Sequence, residues 1–153
     1  MSAIPLAKKV SHPEANNRRA RFDVDIERTY EAGLVLSGDE IKSIRANRLQ
    51  LAGSFARLVH TKKGLEAVLL NLQLGQAVEP DRNRKLLLHA KQLEEISRLL
   101  VRGMTLVPLR VYIRGGWAKA EIGLGRGRKQ HDKRQLLRER DLDQESRRSE
   151  RGR

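Results

Sequence analysis

Two short glycine turns, Lys62-Lys63-Gly64 and Arg114-Gly115-Gly116, each lie between two apolar segments of strand length, and this restricts the fold more than any other feature. A turn that short brings its flanking segments back alongside each other, so both pairs are antiparallel. Ser54 to His60 and Leu65 to Leu72 form one predicted hairpin, and Thr105 to Ile113 and Trp117 to Leu124 form the other. Upstream, Phe22, Val24 and Ile26 alternate with Asp23, Asp25 and Glu27, the period of two of a half-buried strand. That strand is expected to continue through Leu34, Val35 and Leu36, with a bend at Gly33.

Two helices punctuate the strands. Ser37-Gly38-Asp39-Glu40 is a capping box, in which the Ser and Glu side chains satisfy backbone N–H groups at a helix start. Ile41 and Ile44 then share one face, while Lys42 and Arg45 share a solvated one. Leu86 to Leu100 reads as the main helix, because Leu93, Ile96 and Leu100 recur at three-and-four spacing, and Gly103 is placed to end it. The order strand, helix, strand, strand, helix, strand, strand fits a mainly β fold, an OB-type antiparallel β-barrel with accessory helices. Another small α+β sheet has the same order and stays open at this level.

The two ends differ from this body. Residues 1–20 carry Lys8, Lys9, Arg18 and Arg19 without apolar periodicity and read as a flexible basic arm. Residues 126–153 hold 11 Lys or Arg against 6 Asp or Glu, with Leu136, Leu137 and Leu142 as their only large apolar residues. Three leucines cannot organise a core, so this basic tail is expected to be disordered or a marginal helix when free. The predicted organisation is an arm at 1–20, a barrel at 21–125 and a tail at 126–153. Gly123, Gly125 and Gly127 lack both the Rossmann spacing and the Lys-Ser/Thr ending of a P-loop, and read as a hinge between barrel and tail.

Across its 153 residues the chain carries a formal charge of +13, a field that attracts polyanions. Nucleic acid is the partner class this favours. A membrane partner would need an apolar anchor or a bulky amphipathic face, and neither is evident; no stretch approaches the roughly 18 apolar residues of a membrane span. Met1 to Arg21 also has no apolar run suited to an export signal. The lack of cysteine rules out disulfides and thiolate metal sites, and fits the cytoplasm. His12, His60, His89 and His131 fall in four different elements without metal-ligand spacing, and no G-x-S-x-G frames a nucleophile, so neither a catalytic nor a metal site, nor a cofactor, is expected. The five aromatic residues, Phe22, Tyr30, Phe55, Tyr112 and Trp117, mostly occupy core-compatible strand positions. That disfavours a reader that stacks single-stranded bases and favours structured RNA recognised through phosphates, 2′-hydroxyls and shape.

Five segments then resemble one family. They are Asn17-Arg18-Arg19-Ala20-Arg21, Tyr30-Glu31-Ala32-Gly33, Glu40-Ile41-Lys42-Ser43-Ile44-Arg45, Arg84-Lys85-Leu86-Leu87-Leu88-His89 and Gly127-Arg128-Lys129-Gln130-His131-Asp132-Lys133-Arg134. Their order and spacing resemble the small protein B family, the SsrA-binding proteins of trans-translation, from about Asn17 to Arg140. The resemblance implies an OB-type barrel that binds the tRNA-like domain of transfer-messenger RNA (tmRNA) and stands in for its missing anticodon arm. It implies delivery to a stalled 70S ribosome, where the tail senses the empty mRNA channel beside the small-subunit rRNA of the decoding centre. The incomplete protein is then tagged and the ribosome released. It also implies alanylated tmRNA in complex with elongation factor Tu as a partner.

By the same resemblance, tmRNA contacts fall on Glu31, Arg45, Arg84, Leu87 and Lys119. Lys119 can pair with phosphate, and Glu31 can accept hydrogen bonds from a base edge or instead pair with a neighbouring Arg. Leu87 is either an RNA contact or core. Gly127, His131, Asp132, Lys133 and Arg134 match the segment that reads the ribosome, where His131 can stack on a base and the cations can hold phosphates. The chain departs from the family pattern in a shortened linker between Asn71 and Arg82, with Ala77-Val78 where an Asn-His pair is usual. Gly53-Ser54-Phe55 stands in place of Asp-Ser-Tyr. A basic OB-type ribosomal or RNA-chaperone protein without a rescue role is the alternative. An RNA-modifying enzyme would require a catalytic constellation that the sequence does not display.

Overall fold

A computed structural model describes residues 14–75 and 82–151 of the chain. Within them the strands are β1 (Glu14–Asn16), β2 (Val24–Leu34), β3 (Leu49–Gln50), β4 (Phe55–Thr61), β5 (Gly64–Leu70), β6 (Gln73–Leu74), β7 (Arg84–Leu87), β8 (Thr105–Arg114) and β9 (Trp117–Gly127). The helices are α1 (Arg18–Asp23), α2 (Gly38–Arg45), α3 (Ala90–Val101) and α4 (Gln130–Arg151). Seven strands form one antiparallel sheet in the order β1-β8-β9-β2-β7-β5-β4, and β3 pairs with β6. β4 comes back against β8, so the sheet curls toward closure as an OB-type barrel does. Inward residues of alternate strands, among them Leu69, Leu86, Leu106, Val111, Ile122 and Leu124, meet Ile44 of α2 and Ile96 of α3 in the core. Full burial of each such large aliphatic side chain favours the fold by roughly 1.5–3 kcal/mol.

Both hairpins form with the expected partners, Phe55 opposite Leu70 and Arg114 opposite Trp117. The segment before the main helix differs from expectation. Arg84–Leu87 is a strand, and the helix starts only at Ala90, where the His89 amide donates to Gln92 Oε1 at 3.0 Å. Leu86, Leu87 and Leu88 are apolar whichever period is assumed, whereas the strand resolves them: Arg84 and Leu86 point inward, Lys85 and Leu87 outward. β7 pairs with β2 on one side and β5 on the other, and so joins the two hairpins into one sheet.

The folded body also starts earlier than expected. β1 pairs with β8, and Asn17 holds the turn that follows. Its Oδ1 accepts from the Ala20 amide at 3.1 Å, its Nδ2 donates to Pro108 O at 3.1 Å, and its own amide donates to Leu109 O at 2.8 Å. Arg18 and Arg19 therefore belong to α1, as do Phe22 and Asp23, which periodicity assigned to the strand. The rest of the expected arm, Met1 to Pro13 with Lys8 and Lys9, lies outside the described residues, as does the Ala77-Val78 part of the shortened linker.

Gly123 and Gly125 are not a hinge. They sit inside β9 opposite Thr29 and Ile26, where β2 bulges before Arg28. A Cβ on Gly125 would lie 1.9 Å from the Asp25 carbonyl oxygen, and one on Gly123 would lie 2.8 Å from Leu109 Cδ1. Both glycines are needed for close approach of backbone and side chain, and the strand runs on to Gly127, opposite Val24. The tail beyond it is helical from Gln130 to Arg151, and no described helix is long and apolar enough to cross a membrane.

Candidate nucleic-acid interface

Antiparallel registers place Leu87, Gly33, Lys119, Tyr112 and Glu14 side by side in one row across β7, β2, β9, β8 and β1. The neighbouring row contains Glu31, Glu121, Arg110 and Asn16. Side chains alternate along a strand, and the intervening Leu86, Ala32, Ala120 and Val111 are buried, so these rows form the outer face of the barrel. Glu31, Leu87 and Lys119, which lie on three separate segments of the sequence, thus occupy one surface.

Glu31 is the electrostatic centre of that surface. Its Oε2 accepts a hydrogen bond from the Tyr112 hydroxyl and lies 3.3 Å from Arg114 Nη1. The Tyr112 hydroxyl, with Arg114 and Lys119 nearby, holds the Glu31 carboxyl below its ordinary range against the opposing effect of burial. It is therefore an anion at neutral pH, with lone pairs still facing water. Tyr112 is pushed up to about 12, first by burial and then by Glu31, so its hydroxyl stays a donor. Arg110 stacks 4.3 Å from the Tyr112 ring centroid and bridges Glu121 at 2.8 Å and Glu14 at 3.2 Å, which fixes the floor of the patch.

Leu87 is 53% exposed, which settles its direction: it is a surface residue. It owes its position to Gly33, because a Cβ there would come within 3.3 Å of Leu87 Cδ1. The side chain lies over β2 in the space that a larger residue would fill. An exposed leucine between Lys85 and Lys119 gives the face an apolar spot for a ribose or base amid cations that suit phosphate. Trp117 at the hairpin end is 73% exposed, and Phe55 and Val35 are exposed as well. Only Tyr30 and Tyr112 of the aromatic residues are buried in the manner expected of strand positions. Nothing in strand periodicity marks Trp117 as exposed, since it lies where the turn ends and the inward-outward alternation begins.

Arg84 has a different place from the one its motif implies. It is 1% exposed, with Nε 2.7 Å from Glu40 Oε2 and Nη1 donating to Leu72 O at 3.3 Å and Arg82 O at 3.1 Å. A guanidinium so enclosed has no surface for RNA, and its observed partners are structural. Glu40 is the same residue that completes the capping box with Ser37, and it also pairs with Arg82. Burial pushes the Glu40 carboxyl up, but the Ser37 amide, Arg84 and Arg82 outweigh it and hold the carboxyl low. Arg45 is exposed at the end of α2, and none of the described hydrogen bonds or ion pairs links it to the Glu31 patch.

The second group of expected residues is on other elements. Gly127 ends β9, and His131, Asp132, Lys133 and Arg134 lie in the first turns of α4. His131, Asp132 and Arg134 are exposed, whereas Lys133 is half-buried, 3.1 Å from Asp23 Oδ1. Among the described residues, no three His, Asp or Glu converge in a way that would hold a metal ion.

Comparison with known proteins places this geometry in a family. The profile of the SmpB protein family matches residues 14–152. The SsrA-binding protein of Chloroflexus aggregans is 45% identical over 147 residues, covering 92% of this chain and 93% of that one. Its counterpart in Shouchella clausii is 47% identical over 139 residues, covering 86% of each. Among solved structures, a chain described as tmRNA-SmpB in the bacterial ribosome superimposes with a TM-score of 0.61 at 41% identity, covering 82% of this chain and 95% of that one. The chain belongs to the SmpB protein family.

Proposed function

We propose that this chain is a tmRNA-binding protein of trans-translation, which holds the tRNA-like domain of tmRNA on the outer face of β2, β7, β8 and β9. It acts by binding and placement, and makes or breaks no bond. The observation that carries the reading is the meeting of Glu31, Leu87 and Lys119 on one sheet face in a member of a family whose relatives are SsrA-binding proteins. Lys119 supplies a cation for phosphate, and release of counterions from that backbone makes binding favourable and salt-sensitive. Glu31 supplies the acceptor: a fixed carboxylate would repel a bare phosphate run but can take hydrogen bonds from a base edge. Leu87 covers apolar sugar or base surface.

The tail acts at the second site. His131, Asp132, Lys133 and Arg134 engage the vacant mRNA channel near the decoding centre after alanylated tmRNA arrives with elongation factor Tu. The incomplete protein is then tagged and the ribosome freed. Competition binding checks the reading: labelled tmRNA should be retained against excess tRNA and ribosomal RNA fragments. Equal displacement by all three would instead assign a general basic RNA-binding protein.

A further inference from the structure

Glu31 and Glu121 stand directly opposite each other on β2 and β9, an arrangement in which two carboxylates repel unless each has a partner of its own. The partners are divided between them. Glu121 is taken by Arg110 at 2.8 Å and by Arg21 at 3.6 Å, and Arg110 also reaches Glu14 at 3.2 Å. Arg110 lies 4.3 Å from the Tyr112 ring centroid, so its guanidinium is committed to an acid on β9, another on β1 and the ring beside it. It is therefore not the cation that neutralises Glu31. Glu31 meets the Tyr112 hydroxyl, a neutral donor, and Arg114, whose side chain is 72% exposed.

Both donors reach the same oxygen. The Tyr112 hydroxyl and Arg114 Nη1 converge on Glu31 Oε2, the latter at 3.3 Å, and among the described residues no donor meets Oε1. The Glu31 side chain is 43% exposed, so the lone pairs of its second oxygen are open to an incoming donor. Of the two contacts, the phenol is the firmer. Tyr112 is buried and its ring is held by Arg110, whereas Arg114 is long and mostly in water, where an ion pair contributes little. A carboxylate pinned through one oxygen has the other fixed in place, and such an acceptor suits the amino or imino N–H of a base edge. An unpinned carboxylate would have to be ordered on binding, at a cost to the contact.

We propose that Tyr112 is a specificity-determining positioning residue: its hydroxyl pins Glu31 Oε2 and so presents Oε1 to an N–H donor on a base edge of the bound RNA, with Arg110 locking the ring. The proposal rests on the assignment of this face to tmRNA. Tyr112 acts through Glu31 and needs no RNA contact of its own. Its effect on RNA selection therefore disappears when Glu31 is removed.

Tyr112→Phe removes the hydroxyl and keeps the ring beside Arg110. Affinities for tmRNA and for an unrelated structured RNA are to be measured with the full-length chain unchanged, as Tyr112→Phe, as Glu31→Ala and as the double variant. The ratio of the two affinities should fall by roughly twofold to tenfold in Tyr112→Phe, the span of one hydrogen bond. Once Glu31 is Ala, Tyr112→Phe should lower it no further. In the free chain, carbon NMR of the carboxyl groups should show Glu31 titrating higher in Tyr112→Phe, because a donor that holds it low is gone while Arg114 and Lys119 remain. An unmoved Glu31 titration overturns the pinning. A tyrosine with a structural role alone would weaken both RNAs alike and leave the ratio where it was, and that result overturns the proposal. So does a ratio that Tyr112→Phe lowers equally with and without Glu31. A ratio lowered in Glu31→Ala but not in Tyr112→Phe overturns the presentation and leaves Glu31 as the acceptor, whereas one unchanged in Glu31→Ala overturns the reading of the face and the presentation together.

Discussion

Arg84 and Lys119 are both cations on strands of the same sheet, and one is enclosed while the other faces solvent. The difference is one of inward or outward position: Arg84 shares the inward side of β7 with Leu86, and its charge is matched by Glu40. Replacing Arg84 by Met would remove the fully buried partner of the Glu40 carboxylate and leave it to Arg82 and the Ser37 amide, and a buried pair broken on one side costs about 3–5 kcal/mol. Urea unfolding of Arg84→Met should show a loss of that size. The same site sets an acid limit. Glu40 and Glu31, together with Glu95 of α3, which accepts from the Tyr30 hydroxyl at 2.6 Å and pairs with Arg28, and Asp23 beside Lys133 and Arg19, are all held below their ordinary values, so the stability they contribute is present above the unfolded carboxyl range, about 3.9 to 4.3. It is lost as pH falls through the lower folded values. Melting temperature should therefore drop steeply below about pH 4, and Glu40→Gln should flatten that slope. The motif around Arg84 and Leu87 was legible in the sequence as a unit, but not which of its members face outward. Three consecutive leucines hide the alternation that decides it, and a buried arginine looks like any other until its acid appears from 44 residues away in the chain.

At the scale of elements, turns were more legible than the strands without them. The two glycine turns defined both hairpins and their partners because a short turn dictates antiparallel pairing. β7 has no turn of its own and pairs with two strands distant in sequence, so only the folded chain identifies it. β1 and α1 were hidden for a related reason: Asn17 gains its role from Pro108 and Leu109, far along the chain. Glycines of β9 illustrate the reverse error, since a run of alternating glycines has the composition of a hinge while serving as close packing against β2. Gly125→Ala tests this directly. An added methyl group has to push the Asp25 carbonyl and the β2 bulge aside, and overpacking of this kind costs about 1–3 kcal/mol. A hinge glycine would accept Ala with no loss, so a lowered melting temperature distinguishes the two.

For the whole molecule, the division of labour follows from where the charge and the apolar residues are. The barrel buries the periodic apolar positions, while α4 carries alternating charges with two exposed leucines and meets the barrel side through Lys133 and Asp23 at 3.1 Å. Deleting residues 130–153 should accordingly leave tmRNA affinity nearly unchanged and abolish tagging of stalled chains, as read by equilibrium binding beside a reconstituted tagging reaction. Equal loss in both would move the tail's role onto tmRNA itself.

The most direct test of the sheet face as a specific RNA site is the ratio of affinities for tmRNA and for an unrelated structured RNA, in the unchanged chain and in Glu31→Ala. Removing a negative charge from a basic protein strengthens its attraction for any polyanion. If Glu31 is a designated acceptor for tmRNA, affinity for tmRNA weakens while affinity for the unrelated RNA holds or improves, and the ratio falls. If both RNAs bind Glu31→Ala more tightly by the same factor, charge alone governs the face and the specific site is not there.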